Sequence, residues 1–538
     1  IIDTGFIESL IQGRDGVNML GGDNITLISE VRSDAGDVSL ASIDGDLDLS
    51  GTEVVISSIG GSVDLQTTNG EILMPPVLQA GKNIDVSSYA ELTIDNQLQS
   101  NGGDISLAST GSQLSLENNL LALLPGQTIR LNAALGINQT EGLIRATNLD
   151  VNNGTLPLVT PTPVVLTSAG NDVDQLAIRN VGAVTYVDAN DFETGIDHVN
   201  SGATVTEAIV GDVVSLSAVG PRSVIRVVGG IDYENLTIQA GGGTDASRGL
   251  VEFVVTSEVD NPAGLFASPD FAGTLRDMIE HVNDNAARVV TGGSLVPQAM
   301  AIVFDEASYP VDELTVNAQL PTITNPVLLD GSRVEDSLLP APGSDIDDVI
   351  ESQRVAIRGR SGIASGLVLG EGSDGSVVTS LAVYGFRSGS GITIESSGNL
   401  VTDSYLGLNR DGAEPNTALK NRNGITLSGP RASSNRIGAS NSLAGHAFVG
   451  WTAFDADTAN LIGGNRDAGI LIESDARGNV ISGNLVGVDR DGGDIGNRIG
   501  IQVRNARGNR IGTSDQVLPT LSEALNSEEL NHEYASNR

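Results

Sequence analysis

The 538-residue chain carries 29 Lys and Arg against 68 Asp and Glu, and its net charge of -39 argues against attraction to nucleic acid or anionic lipid headgroups. It has no cysteine, which excludes disulfides and thiol chemistry. No run of 18 or more apolar residues and no signal-peptide pattern occurs, so no membrane-inserted segment is predicted.

The first 240 residues repeat a short unit in which Gly-Asp or a similar turn signal precedes an apolar-polar-apolar triplet. Alternation with period 2 is typical of half-buried strands, so this region is predicted to consist of short strands separated by turns. The clearest copies are Gly22–Leu27, Gly36–Leu40, Gly45–Leu49, Gly61–Leu65 and Gly103–Leu107. The unit resembles the repeats of filamentous haemagglutinin-type bacterial adhesins, and this resemblance implies a right-handed parallel β-helix.

A Gly-rich joint at Gly241–Asp245 predicts two domains, residues 1–245 and 246–538. The one clear helix, at about 274–284, follows this joint, with Thr274 and Asp277 as its capping box. We expect this amphipathic helix to cover one end of a second solenoid.

The helix segment beginning at Gly273-Thr274-Leu275-Arg276 resembles the Ser-Leu-Arg-Glu-Ala-Ile motif that opens β-helical passenger regions of bacterial surface proteins. The later segment Leu320-Pro321-Thr322-Ile323-Thr324 agrees with the same resemblance, although Asp277-Met278 stand in place of Glu-Ala. The resemblance implies a new β-helix that begins near Val251.

Between about residues 356 and 512, strands that usually open on Gly-Ile alternate with Asn turns, a pattern similar to pectate-lyase-like right-handed β-helices. Asn side chains at successive turns can hydrogen-bond the neighbouring main chain, so we predict that they are structural. These are Asn399, Asn435, Asn460, Asn479, Asn484 and Asn509. Asn399 and Asn479 also belong to an 80-residue repeat, which we expect to span three or four coils.

Asp489, Asp491 and Asp494 offer hard oxygens within one turn, the ligand type that Ca²⁺ prefers, although their order departs from an EF-hand loop. The same three residues, with Asp403 and Arg490, are the candidates for acid-base cleavage of a polysaccharide. Asp and Gly are also ordinary turn residues, so catalysis is not expected. Bound Ca²⁺ stays an open alternative, and no other cofactor is expected.

Phe448, Trp451 and Phe454 cluster in a segment between two β-helix strands. They are candidates for a platform that binds a sugar or a protein, and packing against the side of the solenoid is the alternative.

Together these patterns predict an all-β protein with two right-handed parallel β-helix solenoids in tandem and one short capping helix. We expect a piece of a larger secreted bacterial protein, cut short at its C-terminus and located outside the cell or at its outer membrane. The resemblances imply a surface adhesin or structural stalk without catalysis, with host or neighbouring-cell glycans or proteins as partners. A polysaccharide lyase or glycoside hydrolase on the second β-helix, and a passive spacer, remain as alternatives.

Overall fold

The computed structural model describes most of the chain. The ranges left out are 1–4, 8–9, 154–161, 181, 196, 201–202, 207–208, 222, 229–230, 242–248, 259, 261–272, 286, 292–293, 305–310, 333–353, 361, 439–458 and 513–538. The chain divides into two compact units, Ile1–Val251 with Ala286–Gln298, and Glu252–Asn285 with Ala299–Arg538. Most of the predicted joint at 241–245 lies outside the described residues.

The first unit winds through three faces of parallel strands. Face A contains β2 Ile11–Gly13, β5 Val31–Ser33, β8 Val55–Ser58, β11 Val77–Ala80, β14 Leu98–Ser100 and β17 Leu120–Ala122. Face B contains β3 Val17–Gly21, β6 Val38–Ser42, β9 Val63–Thr67, β12 Ile84–Ser88, β15 Ile105–Ser109, β18 Thr128–Ala133, β27 Ile209–Val210 and β30 Ile231–Asp232. The long strands β20 Ile144–Asn153 and β22 Asp172–Asn180 run through both faces. Further along the same sheet, β24 Phe192–Thr194 pairs with β22 and with β29 Val224–Val227.

Face C completes each coil of the first unit. It contains β1 Gly5–Ile7, β4 Ile25–Leu27, β7 Leu47–Asp48, β10 Ile72–Leu73, β13 Leu92–Ile94, β16 Leu114–Leu116, β19 Ile137–Gln139, β21 Val164–Leu166, β23 Val184–Asp188, β28 Val213–Ala218 and β31 Asn235–Ala240. Two antiparallel hairpins stand apart, β25 Asp197–Asn200 with β26 Ala203–Thr206, and β33 Arg288–Thr291 with β34 Ser294–Pro297. Strand β32 Leu250–Val255 lies at the division between the units.

The core of the first unit is a stack of aliphatic side chains, because the strands keep one register from coil to coil. Val38, Val63, Ile84, Ile105 and Ile129 pair in succession, and every one of them is buried. The residues between them point outward, which gives the alternating burial that the sequence pattern predicts. Backbone groups are satisfied by the neighbouring coils, so the fold needs no thick core.

The second unit has the same three-faced plan. Face D contains β35 Ala299–Phe304, β37 Leu328–Asp330, β40 Val377–Thr379, β43 Leu400–Thr402, β46 Arg436–Ile437, β49 Val480–Ile481 and β52 Arg510–Ile511. Face E contains β36 Glu313–Val316, β38 Val355–Gly359, β41 Leu381–Tyr384, β44 Tyr405–Leu406, β47 Leu461–Ile462 and β50 Leu485–Val486. Face F contains β39 Ser365–Leu369, β42 Ser390–Ile394, β45 Asn423–Ser428, β48 Ala468–Glu473 and β51 Ile499–Arg504. A 3-10 helix spans Thr417–Leu419.

The predicted helix is confirmed as α1, Leu275–Asp284, with Thr274 as its N-cap and the expected capping box. Its ionic anchor is Arg276, which pairs with the buried Asp260 (Nε to Oδ1, 2.8 Å) and also donates to the backbone oxygens of Ala318 and Gln319. Asn283 holds the next segment, because its Nδ2 donates to Thr322 O and its Oδ1 accepts from Thr324 N. These contacts explain why the helix motif and the Leu-Pro-Thr-Ile-Thr segment occur together in this sequence.

The all-β parallel β-helix prediction is confirmed, whereas the number of β-helices in tandem stays a prediction. One expectation is wrong: the 80 residues from Asn399 to Asn479 span two coils, not three or four. Leu400 pairs with Arg436 and Arg436 with Val480, so the coils here advance by 36 and 44 residues. These coils are long because they contain the loop after β44 and residues 439–458. The expectation of three or four coils assumed one uniform coil length.

Candidate functional site

The turns between face F and face D carry a ladder of four asparagines, Asn399, Asn435, Asn479 and Asn509. In each step the backbone N–H and the side-chain Nδ2 of one Asn both donate to Oδ1 of the next, at 2.9 to 3.0 Å. The second Nδ2 hydrogen of Asn435 donates to Ser396 O, and that of Asn479 to Ala432 O. The first three asparagines are fully buried, so their polar atoms make hydrogen bonds within the protein and are not accessible to a ligand.

A second ladder occupies the turns between face D and face E. Ser404 N donates to Asn460 Oδ1 at 3.0 Å, and Asn460 Nδ2 donates to Asn484 Oδ1 at 3.0 Å. Each of these amides also donates to a backbone oxygen of the preceding coil, Val401 O for Asn460 and Ile437 O for Asn484. All six asparagines named from the sequence thus lie in two hydrogen-bonded columns.

A third ladder, between face E and face F, was missed by sequence reasoning. Asn465 donates from N and Nδ2 to Asn497 Oδ1 at 3.0 and 2.9 Å, and Asn421 Oδ1 accepts from Phe386 N. Each of these asparagines precedes an Arg and stands three or four residues before the glycine of a face F strand. That spacing was the signal available in the sequence, but the six predicted asparagines all lie in the other two turns.

In the first unit, the Asp and Asn side chains of the Gly-Asp turns form similar ladders. Asp46 N donates to Asn24 Oδ1 (2.8 Å), and Asp46 Oδ1 in turn accepts from Glu71 N (2.9 Å). Asp104 repeats this arrangement between Asn83 Oδ1 and Thr128 N. The Asp of the repeat is therefore a coil-to-coil connector as well as a turn residue.

The three proposed calcium ligands belong to a loop whose main contacts are internal. Asp489 Oδ1 accepts from Asp491 N (3.1 Å) and Gly493 N (2.6 Å), while Asp494 Oδ1 accepts from Gly496 N (3.3 Å). In the sister loop Asn409 Oδ1 makes the same two bonds, to Asp411 N and Ala413 N. In the part of the chain that the structure describes, no group of three or more His, Cys, Asp or Glu side chains is arranged to hold a metal ion.

The two sister loops touch, because Arg490 N donates to Gly412 O at 3.1 Å. They cover the outer side of face E, where Leu408 packs with Tyr384, Tyr405 and Leu461. The 80-residue repeat thus places one loop directly beside its copy. Because the two loops pack on face E and on each other, their Asp-Gly turns have a structural role in the solenoid.

Asp403, the fifth acidic or basic candidate, lies in the tight turn between β43 and β44. Its carboxylate pairs with Arg354, and its Oδ2 accepts from Ser380 Oγ at 2.8 Å. The Arg354 guanidinium also stacks on the Tyr405 ring, 4.1 Å from its centroid. Asp403 and Ser380 both adopt the left-handed backbone region, with φ of 47° and 57°, which these contacts hold in place.

Asp330 adds a second carboxyl group to this neighbourhood. Burial raises the pKa of Asp330, and the nearby Asp403 carboxylate adds to the increase. A carboxyl group with a raised pKa beside an ionised one is the pattern of an acid-base pair, and it is also what a buried structural ion pair produces.

Two buried groups with strongly shifted pKa values lie away from these turns. Burial lowers the pKa of His281, on the inner side of α1, to about 4. Burial also raises the pKa of Asp188 to about 6, although Tyr186 Oη, Asn190 N and Val173 N donate hydrogen bonds to its carboxylate. Each is enclosed by its own unit, so we assign both to the packing of the fold.

Phe448, Trp451 and Phe454 lie outside the described residues, so their role as a binding platform stays a prediction.

Among the residues with described positions, no helix is both long and apolar enough to cross a membrane.

The class of this protein is defined by its fold alone, an all-β parallel β-helix. No protein-family model, no curated protein and no solved structure matches this chain.

Proposed function

We propose that this chain is the stalk of a bacterial surface adhesin, a rod-forming region that displays binding loops and has no catalysis of its own. The observation that carries the proposal is the use of the polar turn residues. The repeated Asn and Asp side chains bind the backbone of the next coil, so the repeat serves architecture rather than chemistry.

The acidic composition fits this role. A net charge of -39 keeps a long chain soluble and opposes collapse onto other acidic surfaces. The absence of cysteine is compatible with an extracellular location, because parallel coils are held by backbone bonds and need no disulfides. Host or neighbouring-cell glycans or proteins are the partners of such a display rod, and Ca²⁺ is an optional ligand of its turns.

A polysaccharide lyase or hydrolase is the second candidate, and one observation favours it. Asp330, Asp403 and Arg354 bring two carboxyl groups and a guanidinium to one turn of the second unit, with strained backbone at Asp403. Against it, Arg354 neutralises Asp403 and stacks on Tyr405, which is a complete structural role. A passive spacer without any ligand is the third reading.

One experiment separates the three. The purified chain is incubated with pectin-like and alginate-like polymers, whose length is followed by size-exclusion chromatography, and its binding to cells is measured in parallel. An adhesin stalk binds cells and leaves the polymers intact. Shortened polymers would overturn the proposal and show that the chain is an enzyme. Intact polymers without cell binding would favour the passive spacer.

A further inference from the structure

The edge of the second unit between face F and face D carries a charge gradient. This edge, here named the F–D edge, consists of the turns 370–376, 395–399, 429–435, 474–479 and 505–509 on five successive coils. The first two coils expose Glu371, Asp374 and Glu395. The last two expose Arg477 and Arg507, with Arg510 on the adjoining strand β52, and one acidic residue, Asp475.

The charged residues follow the register of the coils. Ser433, Arg477 and Arg507 pair in succession as isolated parallel bridges, and Gly375 N donates to Ser397 O in the coils before them. Neighbouring side chains on the edge are therefore separated by the spacing of parallel strands, roughly 4.8 Å. A second edge with the same fold has the same spacing, so two such edges can match charge against charge over several coils.

We propose that the F–D edge pairs with the F–D edge of a second copy of this chain, in an antiparallel arrangement with twofold symmetry. A twofold axis at the middle coil places the acidic coils of one copy opposite the basic coils of the other. Glu371 and Asp374 then face Arg507 and Arg510, and Glu395 faces Arg477. Every contact occurs twice, as an isologous interface requires.

The middle coil is compatible with this pairing. Arg431, which would face its own copy across the axis, already pairs with Glu371 of its own chain. That contact also shows that opposite charges on this edge reach across two coils. Between the acidic and basic halves lies a cavity of about 350 Å³, lined by Asp374, Ser396, Arg431 and Arg477 among others, which offers a recess for a partner's side chain.

The net charge of the whole chain does not oppose this contact locally. Residues 354–438 and 459–512 contain 16 Lys and Arg against 12 Asp and Glu, so this part of the second unit is slightly basic. At physiological ionic strength, charges beyond about 8 Å are largely screened, and the facing edges dominate. Because exposed ion pairs are individually weak, the association is expected to be modest in strength and sensitive to salt.

Sedimentation velocity of the full chain in about 25 mM and about 500 mM NaCl tests the proposal. We expect dimers at low salt and monomers at high salt. Two double variants reverse charges in the two halves separately: Arg477→Glu with Arg507→Glu puts acidic side chains on the last two coils, and Glu371→Lys with Glu395→Lys puts basic side chains on the first two. Each variant alone is expected to stay monomeric at low salt, and an equimolar mixture of the two is expected to dimerise again.

The matched control is Arg360→Glu with Arg387→Glu, which changes the same charge at exposed positions on the edge between faces E and F. This control is expected to dimerise like the parent chain, and unchanged thermal unfolding shows that each variant is folded. A parent chain that is monomeric at low salt would overturn the proposal. So would dimers that survive high salt, a mixture that stays monomeric, or a control that loses the dimer.

Discussion

Asn435 donates two hydrogen bonds to a single oxygen atom of Asn479, one from its backbone N–H and one from its side-chain Nδ2, each 2.9 Å long. The same pair of bonds joins Asn399 to Asn435 and Asn479 to Asn509. Each buried amide thus accepts hydrogen bonds from the turn of the preceding coil and donates hydrogen bonds to the turn of the following coil. The column couples the stability of neighbouring coils.

Replacing Asn435 by Ala removes the middle of this column. The backbone N–H and Nδ2 of Asn399 lose their acceptor, and Ser396 O loses its donor. Buried unsatisfied groups are costly, so we expect the free energy of unfolding to fall by about 2–4 kcal/mol, measured by urea denaturation with circular dichroism. The control Asn101→Ala removes an exposed amide that accepts a bond from half-buried Gln99, and a change within about 0.5 kcal/mol is expected there. Equal losses in the two variants would contradict the ladder.

Gly61, in the turn before β9, is expected to be required by close packing between coils. A Cβ atom at Gly61 would lie 2.5 Å from the carbonyl carbon of Gly36 and 2.6 Å from Asp37 Oδ1, so Gly61→Ala should destabilise the first unit by at least about 1 kcal/mol. At Gly22 a Cβ atom meets nothing within 4 Å, so Gly22→Ala should leave the free energy of unfolding unchanged or raise it slightly. Denaturation midpoints measure both, and similar midpoints for the two variants would refute the packing argument.

His281 makes the second unit sensitive to acid. Its pKa is lowered from 6.5 to about 4 by burial, so the unfolded chain takes up the proton first. The stability contributed by the neutral ring is complete above pH 6.5 and is lost as the pH falls toward 4, on the order of 3 kcal/mol in total. His281→Gln, which is neutral at every pH, should flatten this dependence. Unfolding curves of the parent and the variant between pH 7 and pH 4 that fall in parallel would show that His281 is not responsible.

Asp489 is expected to act as a loop cap that needs an oxygen and not a charge. Asn409 makes the same two bonds in the sister loop, so Asp489→Asn should keep the denaturation midpoint, and Asp489→Ala should lower the free energy of unfolding by about 1 kcal/mol. Calcium titration of the parent chain by calorimetry is the companion measurement. A Ca²⁺ affinity that disappears in Asp489→Asn would instead assign this loop as a metal site.

Much of this fold could be predicted from the local sequence pattern, because each coil of a solenoid contacts only the neighbouring coils. The triplets after Gly-Asp predicted the short strands, and Thr274 with Asp277 predicted the helix and its cap. The coil count within the 80-residue repeat was wrong because insertions add residues without adding a coil.

The chemistry of the turns was less readable, because it depends on which coil lies beside which. The carboxylate of Asp46 reaches Glu71 N, 25 residues ahead, and nothing near Asp46 in sequence indicates that partner. The same holds for Arg354 and Asp403, which are 49 residues apart and meet at a turn between faces D and E. Paired strands of neighbouring coils are 18 to 56 residues apart in sequence, so the neighbour of a given side chain in the next coil is undetermined until the register is known.

The most direct test of the account is a cross-link between neighbouring coils, which the absence of cysteine makes simple. Thr393 and Thr426 are paired in register on face F, and Leu471 is paired with Thr426 one coil further on. Strands one coil apart lie within the Cα separation that a disulfide needs, and strands two coils apart do not. Peptide mapping after oxidation should therefore find a disulfide in the variant Thr393→Cys with Thr426→Cys and none in the variant Thr393→Cys with Leu471→Cys. A disulfide in the second variant, or in neither, would contradict an in-register stack of parallel coils.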